Sequence, residues 1–358
     1  MGLRSFIAKR IVYSIVLLIL VIAMNYLIFL LMPGDPVAMY VGTIRGLGRA
    51  EREDLIKRMK DQLGIGDPPP IQFLKYLRNL LTWNFGLSTE TRKPVSDEMA
   101  YHLQNTLIMM GLATIFAVLL GTLLGILVAY KHGGKFDTFM VFSALTFFSL
   151  PTFWMGMIAI EIFFSYLGWF PHAHAFPDEW TKSGGANWPV PFGTNAVTSP
   201  QTLQLQLALN PQNIVTFITG FGLHAFLPVA VLTLFQYGGF LLLTRATMME
   251  ALTEDYIITA RAKGVKEREV LLRHALKNAS LPLITNAALS FGFMISGAII
   301  TETVFSWPGM GGWIFQAINA KDINVFQATF YVIALTVIAA NFIADLLYGI
   351  IDPRIKYG

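Results

Sequence analysis

The chain has 358 residues, 54% of them hydrophobic and 13% charged, with a mean hydropathy of +0.56 and a formal net charge of +4. An ordinary soluble domain carries about 25% charged residues, so this composition cannot cover a soluble surface, and the small net charge gives no argument for nucleic acid. Cysteine is absent, which excludes disulfides, thiol nucleophiles and zinc thiolate sites.

Six stretches reach the roughly 20 mostly apolar residues that a membrane-crossing helix needs: 11–32, 103–130, 138–166, 224–244, 283–304 and 328–351. The fold class they predict is an all-α, polytopic transmembrane protein. Its plan is a tail and first span (1–32), a long outer loop (33–102) and a core of five further spans (103–358). The first span follows Arg4, Lys9 and Arg10. Its apolar run is too long for the core of a signal peptide and no small-residue cleavage site follows, so it reads as a retained anchor.

The 33–102 loop carries its own structure. Leu55, Met59 and Leu63 lie four apart among charges, with Gly64 placed as a helix stop. The run "GDPPP" (66–70) imposes an extended link, after which Phe73, Leu74, Leu77, Leu80 and Leu81 mark a short amphipathic helix at the membrane surface. In the second span Ala113, Ala117, Gly121, Gly125 and Ala129 recur every four residues. Small residues let membrane helices pack closely, and this stripe serves either packing within the chain or a seam against a second subunit.

Glu161 stands near the outer end of the third span, where an ionisable group is costly and is a functional candidate. It either reaches the interface beside Trp169 or lines a path. The 167–223 loop is rich in Trp, Pro, Gly and Asn and suits a folded cap near the headgroups. It also holds His172 and His174 near Asp178 and Glu179, a weak metal motif, and no metal site is assigned.

Between the fourth and fifth spans lies "EDYIITARAKGVKEREVLLRHALKNASLPLI". It reads as a short helix, a turn at Gly264 and a charged second helix in which Glu269, Arg273 and Lys277 fall four apart in the favourable order. Glu302, Trp307 and "PGMGG" follow the fifth span at the outer mouth, as either a gating loop or a tight turn. Asn341 and Asp345, four apart on the sixth span, read as ties to neighbouring helices.

Loop charges orient this plan. With the N-terminus in the cytosol, fourteen Lys and Arg face inward. Long loops translocate largely regardless of charge, and with the 33–102 loop set aside only two face outward. Both termini and the charged hairpin are therefore expected in the cytosol.

"EALTEDYIITARAKGV" followed by "LLRHALKNASLPLIT" resembles the EAA loop of ABC-importer permeases, in the form typical of oligopeptide and dipeptide transporters. The likeness extends through "LMPGDPV" (31–37), "WNFGLS" (83–88), "SLPTFWMGM" (149–157), "ETVFSWPGMGGWIFQAI" (302–318) and "DLLYGIIDPRIKY" (345–357). It is most similar to the first of the two permease subunits, the one with a long loop after its first span. The resemblance implies a type I importer permease fold in a prokaryotic inner membrane, paired with a second homologous permease, two cytosolic ATPase subunits and an extracytoplasmic solute-binding protein. It further implies a coupling helix that seats in an ATPase cleft, carried here by Glu254, Asp255, Tyr256, Thr259, Ala260, Arg261, Ala262, Lys263 and Gly264. Ile258 departs from the wider motif, which has Glu there.

The chain has no G-x-x-x-x-G-K-[ST] phosphate loop; "HGGKFD" (132–137) has Phe after its Lys. Catalytic residues are therefore expected to be none, and ATP and magnesium to be bound by partner subunits. A secondary transporter would show inverted repeats with broken midplane helices. A membrane enzyme would need convergent acids, bases or metal ligands. Neither pattern is evident.

Overall fold

The computed structural model describes residues 3–31, 53, 56–57, 60, 64–171, 175, 211–294 and 299–351. The expected helix over 50–63, most of the 167–223 cap, His172 and His174 fall mainly or wholly outside that set. Among the described residues the chain is helical, with one isolated bridge between Leu87 and Pro94.

Helix α1 (Leu3–Leu31) leads to α2 (Pro69–Leu81), where two prolines at the first positions cost no hydrogen bond because those N–H groups have no intrahelical partner. Gly64 and Gly66 both have positive φ and turn the chain into α2. The buried face of α2 differs from the expected one. Tyr76 and Leu80 are buried and Phe73 and Leu77 partly so, while Leu74 and Leu81 face out. Tyr76 escaped the sequence reading because its hydroxyl makes it look amphipathic, yet it supplies the i+3 contact of this face. The Tyr26 hydroxyl donates to Pro69 O (3.2 Å) and Gln72 Oε1 (3.1 Å), so α2 is docked on the end of α1.

Helix α3 (Val95–Tyr130) begins eight residues before the expected span, and Asp97 and Glu98 in its first turn suit the helix dipole. The expected third span is not one rod. Helix α4 (Lys135–Ser149) and α5 (Thr152–Ile160, continuing as a π-helical turn Glu161–Tyr166) meet at 97° across Leu150 and Pro151. Pro151 has no N–H to continue the ladder and biases Leu150 to its extended backbone (ψ 135°).

Helix α6 (Pro211–Leu252) has 42 residues, on the order of 60 Å at 1.5 Å per residue, about twice the hydrocarbon thickness. It therefore projects beyond the bilayer. Helix α7 (Asp255–Ala262) follows, then a single turn Glu267–Glu269 and a π-helical turn Val270–Ala275 that run into α8 (Leu276–Phe293). The expected fifth span is divided between α8 and α9 (Ile299–Val304). Helices α10 (Met310–Ala320) and α11 (Ile323–Ile351) complete the fold. Among the described residues four helices are long and apolar enough to cross a membrane, five if the bent pair counts as one span.

The stripe of small residues on α3 lies against α6 of the same chain. Ala113 and Ala117 are fully buried. A Cβ on Gly121 would lie 2.8 Å from Tyr237 O, and one on Gly125 would lie 2.9 Å from Leu241 O. Thr233 donates to Ala113 O (3.3 Å). Contacts advance in step along both helices, so α3 and α6 run parallel. Helices α1 and α11 run antiparallel, with Arg10 bridged to Asp345 (2.8 Å) at one end and Asn25 Nδ2 donating to Gln327 O (3.1 Å) further along. Asp345 thus ties two helices together, as the sequence led us to expect.

Candidate functional site

The charged hairpin is built on the protruding end of α6. Glu254 is extended (ψ 147°) and its carbonyl accepts Ile257 N (3.0 Å), which starts α7. Asp255 in the first turn and Arg261 in the last both match the helix dipole. The helix ends in a Schellman arrangement: Val265 N donates to Ala260 O (3.2 Å), Gly264 N donates to Arg261 O (3.0 Å), and Gly264 takes φ +75°. Open space surrounds Gly264, so its requirement is conformational rather than steric. Across the turn Arg261 donates from Nη2 to Glu267 Oε1 (2.7 Å) and from Nε to Oε2 (3.2 Å). That bonding raises the guanidinium pKa further above neutrality.

The hairpin has its own core. Ile257, Ala260, Val270 and Ala275 are buried with Ile126 and Ala129 of α3, Met248 and Ala251 of α6 and Ala279 of α8. Of the nine residues matched to a coupling helix, Ala260 alone turns inward; Glu254, Asp255, Tyr256, Thr259, Arg261, Ala262, Lys263 and Gly264 are exposed. Ile258, the departure from the wider motif, is 60% exposed, and Tyr256 is 36% exposed. Ala129, the last residue of the small-residue stripe, thus carries the α3–α6 seam directly into the hairpin.

Sequence reasoning missed the latch behind this hairpin. Arg245 of α6 donates from Nε to Asp137 Oδ1 (2.7 Å) and from Nη2 to Asp137 Oδ2 (3.0 Å). Asp137 also accepts Gly133 N (2.9 Å) and the His132 ring (3.0 Å). It is only 5% exposed. Its signal was an acid seated in the short turn "HGGKFD", which looked only like a failed phosphate loop.

At the opposite end Glu302 and Trp307 are both buried, at 0% and 2% exposure. The Glu302 carboxylate accepts Thr106 Oγ1 (2.7 Å) and Gly312 N (2.9 Å). Gly309 lies so close that a Cβ there would overlap that carboxyl. Trp307 Nε1 donates to Asn105 O (3.0 Å), Asn105 Nδ2 donates to Pro308 O (3.0 Å), and Thr106 Oγ1 accepts Met310 N (2.7 Å). The turn between α9 and α10 is therefore clamped onto α3. Glu161 is separate from this clamp, exposed at the first residue of the π-helical turn. A second clamp at this end joins the "WNFGLS" loop to α11: Asp322 Oδ2 accepts Ser88 Oγ (2.6 Å) and Thr89 N (2.7 Å), and Asn324 Nδ2 donates to Leu87 O (2.8 Å).

The geometry is a bundle with clamps at one end and, at the other, a charged knob packed on α3, α6 and α8. Known proteins share the sequence that builds it. Residues 121–357 match the model of the binding-protein-dependent transport system inner membrane component, and residues 3–109 match the N-terminal model of such membrane components. The chain is 34% identical to a dipeptide transport system permease protein of Alkalihalophilus pseudofirmus, covering 98% of both chains. It is 33% identical to an oligopeptide transport system permease protein of Bacillus subtilis, over 99% of this chain and 100% of that one. A dipeptide transport system permease protein of Escherichia coli is also 33% identical, over 99% of each. The chain belongs to the family of inner-membrane components of binding-protein-dependent transport systems.

Proposed function

We propose that this chain is one permease subunit of an ATP-binding-cassette importer that takes up peptides, and that α7 is its ATPase-docking helix. The chain carries no motor of its own; ATP and magnesium belong to two cytosolic ATPase subunits. A second homologous permease completes the path, and an extracytoplasmic solute-binding protein delivers cargo to the 33–102 and 167–223 loops. The reading has six spans with both termini in the cytosol, the fifth made from α8 and α9. The division into 1–32, 33–102 and 103–358 follows that topology. Glu161, exposed on its helix, faces the second permease or the path, while Glu302 and Trp307 hold the outer turn that borders it.

One observation carries the proposal. The hairpin is held on α3, α6 and α8 through Ile257, Ala260 and Val270, and still leaves Tyr256 and Ile258 exposed amid charges. A loop that only enforced topology would need no packed helix with large apolar side chains left exposed on it. Ile258→Asp places a charge on the exposed surface of α7 without touching the buried face, so it should insert and fold normally yet lose the co-purifying ATPase subunits. Losing a buried apolar interface anchor costs about 2 kcal/mol, or roughly thirtyfold in affinity. Normal recovery of the ATPases with this variant would sink the docking assignment.

A further inference from the structure

A cavity of about 300 Å³ lies between α1 and α11, at the end of the bundle where α1 begins and α11 ends. From α1 it takes Arg10, Tyr13, Ser14 and Leu17; from α11 it takes Ile338, Asn341, Phe342 and Asp345. Each set follows the i, i+3, i+4, i+7 spacing of one helix face, and the helices are antiparallel, so the two faces match in polarity. Arg10 and Asp345 stand together at the rim, the neutral hydrogen-bonding groups Ser14 and Asn341 come next, and Leu17 and Ile338 close the deep end. The rim pair is 2.8 Å apart, yet its side chains remain 43% and 31% exposed. Deeper along α1, Ile15, Val16, Ile19 and Leu20 are about half exposed on a helix meant for lipid. A groove graded from paired opposite charges to hydrocarbon matches one chemistry, a zwitterionic headgroup joined to acyl chains. Headgroups are known to seat in pockets between membrane helices.

We propose that this groove is a site for a phosphoethanolamine-bearing phospholipid, with the phosphate on Arg10 and the primary ammonium on Asp345 and Asn341 Oδ1. The two opposite charges side by side favour this lipid over an anionic one, which would meet Asp345 with like charge. A quaternary choline headgroup has no N–H to donate to the carboxylate. The acyl chains lie along Leu17 and the exposed face of α1, which favours a membrane lipid over free phosphoethanolamine.

The test uses the transporter purified in its assembly, exchanged into nanodiscs of mixed phosphatidylethanolamine, phosphatidylcholine and phosphatidylglycerol. Lipid retained after detergent washing is then quantified by mass spectrometry. Phosphatidylethanolamine should be enriched over each of the others by about tenfold, the value of one charge-assisted hydrogen bond. Asp345→Asn should remove the preference over the choline lipid. Ser14→Phe fills the groove while leaving the ion pair in place, and should abolish the enrichment with unchanged assembly and thermal stability. Equal retention of the three lipids, enrichment of the glycerol lipid, or enrichment that survives Ser14→Phe would each overturn the proposal. Displacement by soluble phosphoethanolamine would overturn the lipid assignment in favour of the free compound.

Discussion

Glu302 shows how a residue can be picked out for a sound reason while its partners stay hidden from the sequence. A carboxylate next to an apolar span is costly and marks a special position. Its partners, Thr106 and Gly312, lie 196 residues before it and ten after it, and the longer separation was invisible to any local pattern. Glu302→Ala would strand the Thr106 hydroxyl and the Gly312 N–H in a dry site. It should cost about 3 kcal/mol, read as a clear fall in melting temperature of the detergent-purified protein, and it should loosen the turn between α9 and α10 to proteolysis. Gly264 was legible because a turn was needed between two helical patterns. The structure adds the reason for glycine, a left-handed φ that costs other residues about 1 kcal/mol. Gly264→Ala should therefore weaken the hairpin by that amount, with Gly264→Asn partly restoring it, as measured by hydrogen exchange over 255–275.

At the scale of elements, helical periodicity located the apolar segments well but misjudged their ends and continuity. The 42-residue length of α6 depends on neighbours: α6 can extend past the bilayer because α7 and α8 pack against its end. The apolar face of α2 was turned by one residue for a related reason. Tyr76 is buried because Tyr26 and Leu80 surround it. The charge ladder Glu269, Arg273 and Lys277 lies on an exposed face, whereas the ion pair that forms is Arg261 with Glu267, across the turn. Both members are more than a third exposed, so a double-mutant cycle with Arg261→Ala and Glu267→Ala should give a coupling near 0.5 kcal/mol that fades in high salt. Ala260→Arg differs from Ile258→Asp in kind. It forces a charge into the hairpin core and should unfold the hairpin itself, so protease sensitivity within 253–275 should separate the two variants.

For the whole molecule, transport should need every partner: the chain reconstituted alone should neither hydrolyse ATP nor accumulate peptide. The absence of cysteine gives a clean topology test. Glu90→Cys should react with an impermeant thiol reagent from outside intact cells, and Gly264→Cys only after permeabilisation; the opposite result would invert the arrangement. Amino-acid order alone determined the membrane class, the approximate spans, the small-residue stripe and the charged hairpin, because hydropathy, periodicity and turn chemistry act over a few neighbouring residues. Tertiary structure decided which partners close the Glu302 and Asp322 clamps, that Arg245 locks onto Asp137, that Ala260 faces inward while Ile258 does not, and that α1 and α11 enclose a graded groove. Those outcomes depend on which distant helices meet and in which register, a matter settled by packing across the whole bundle.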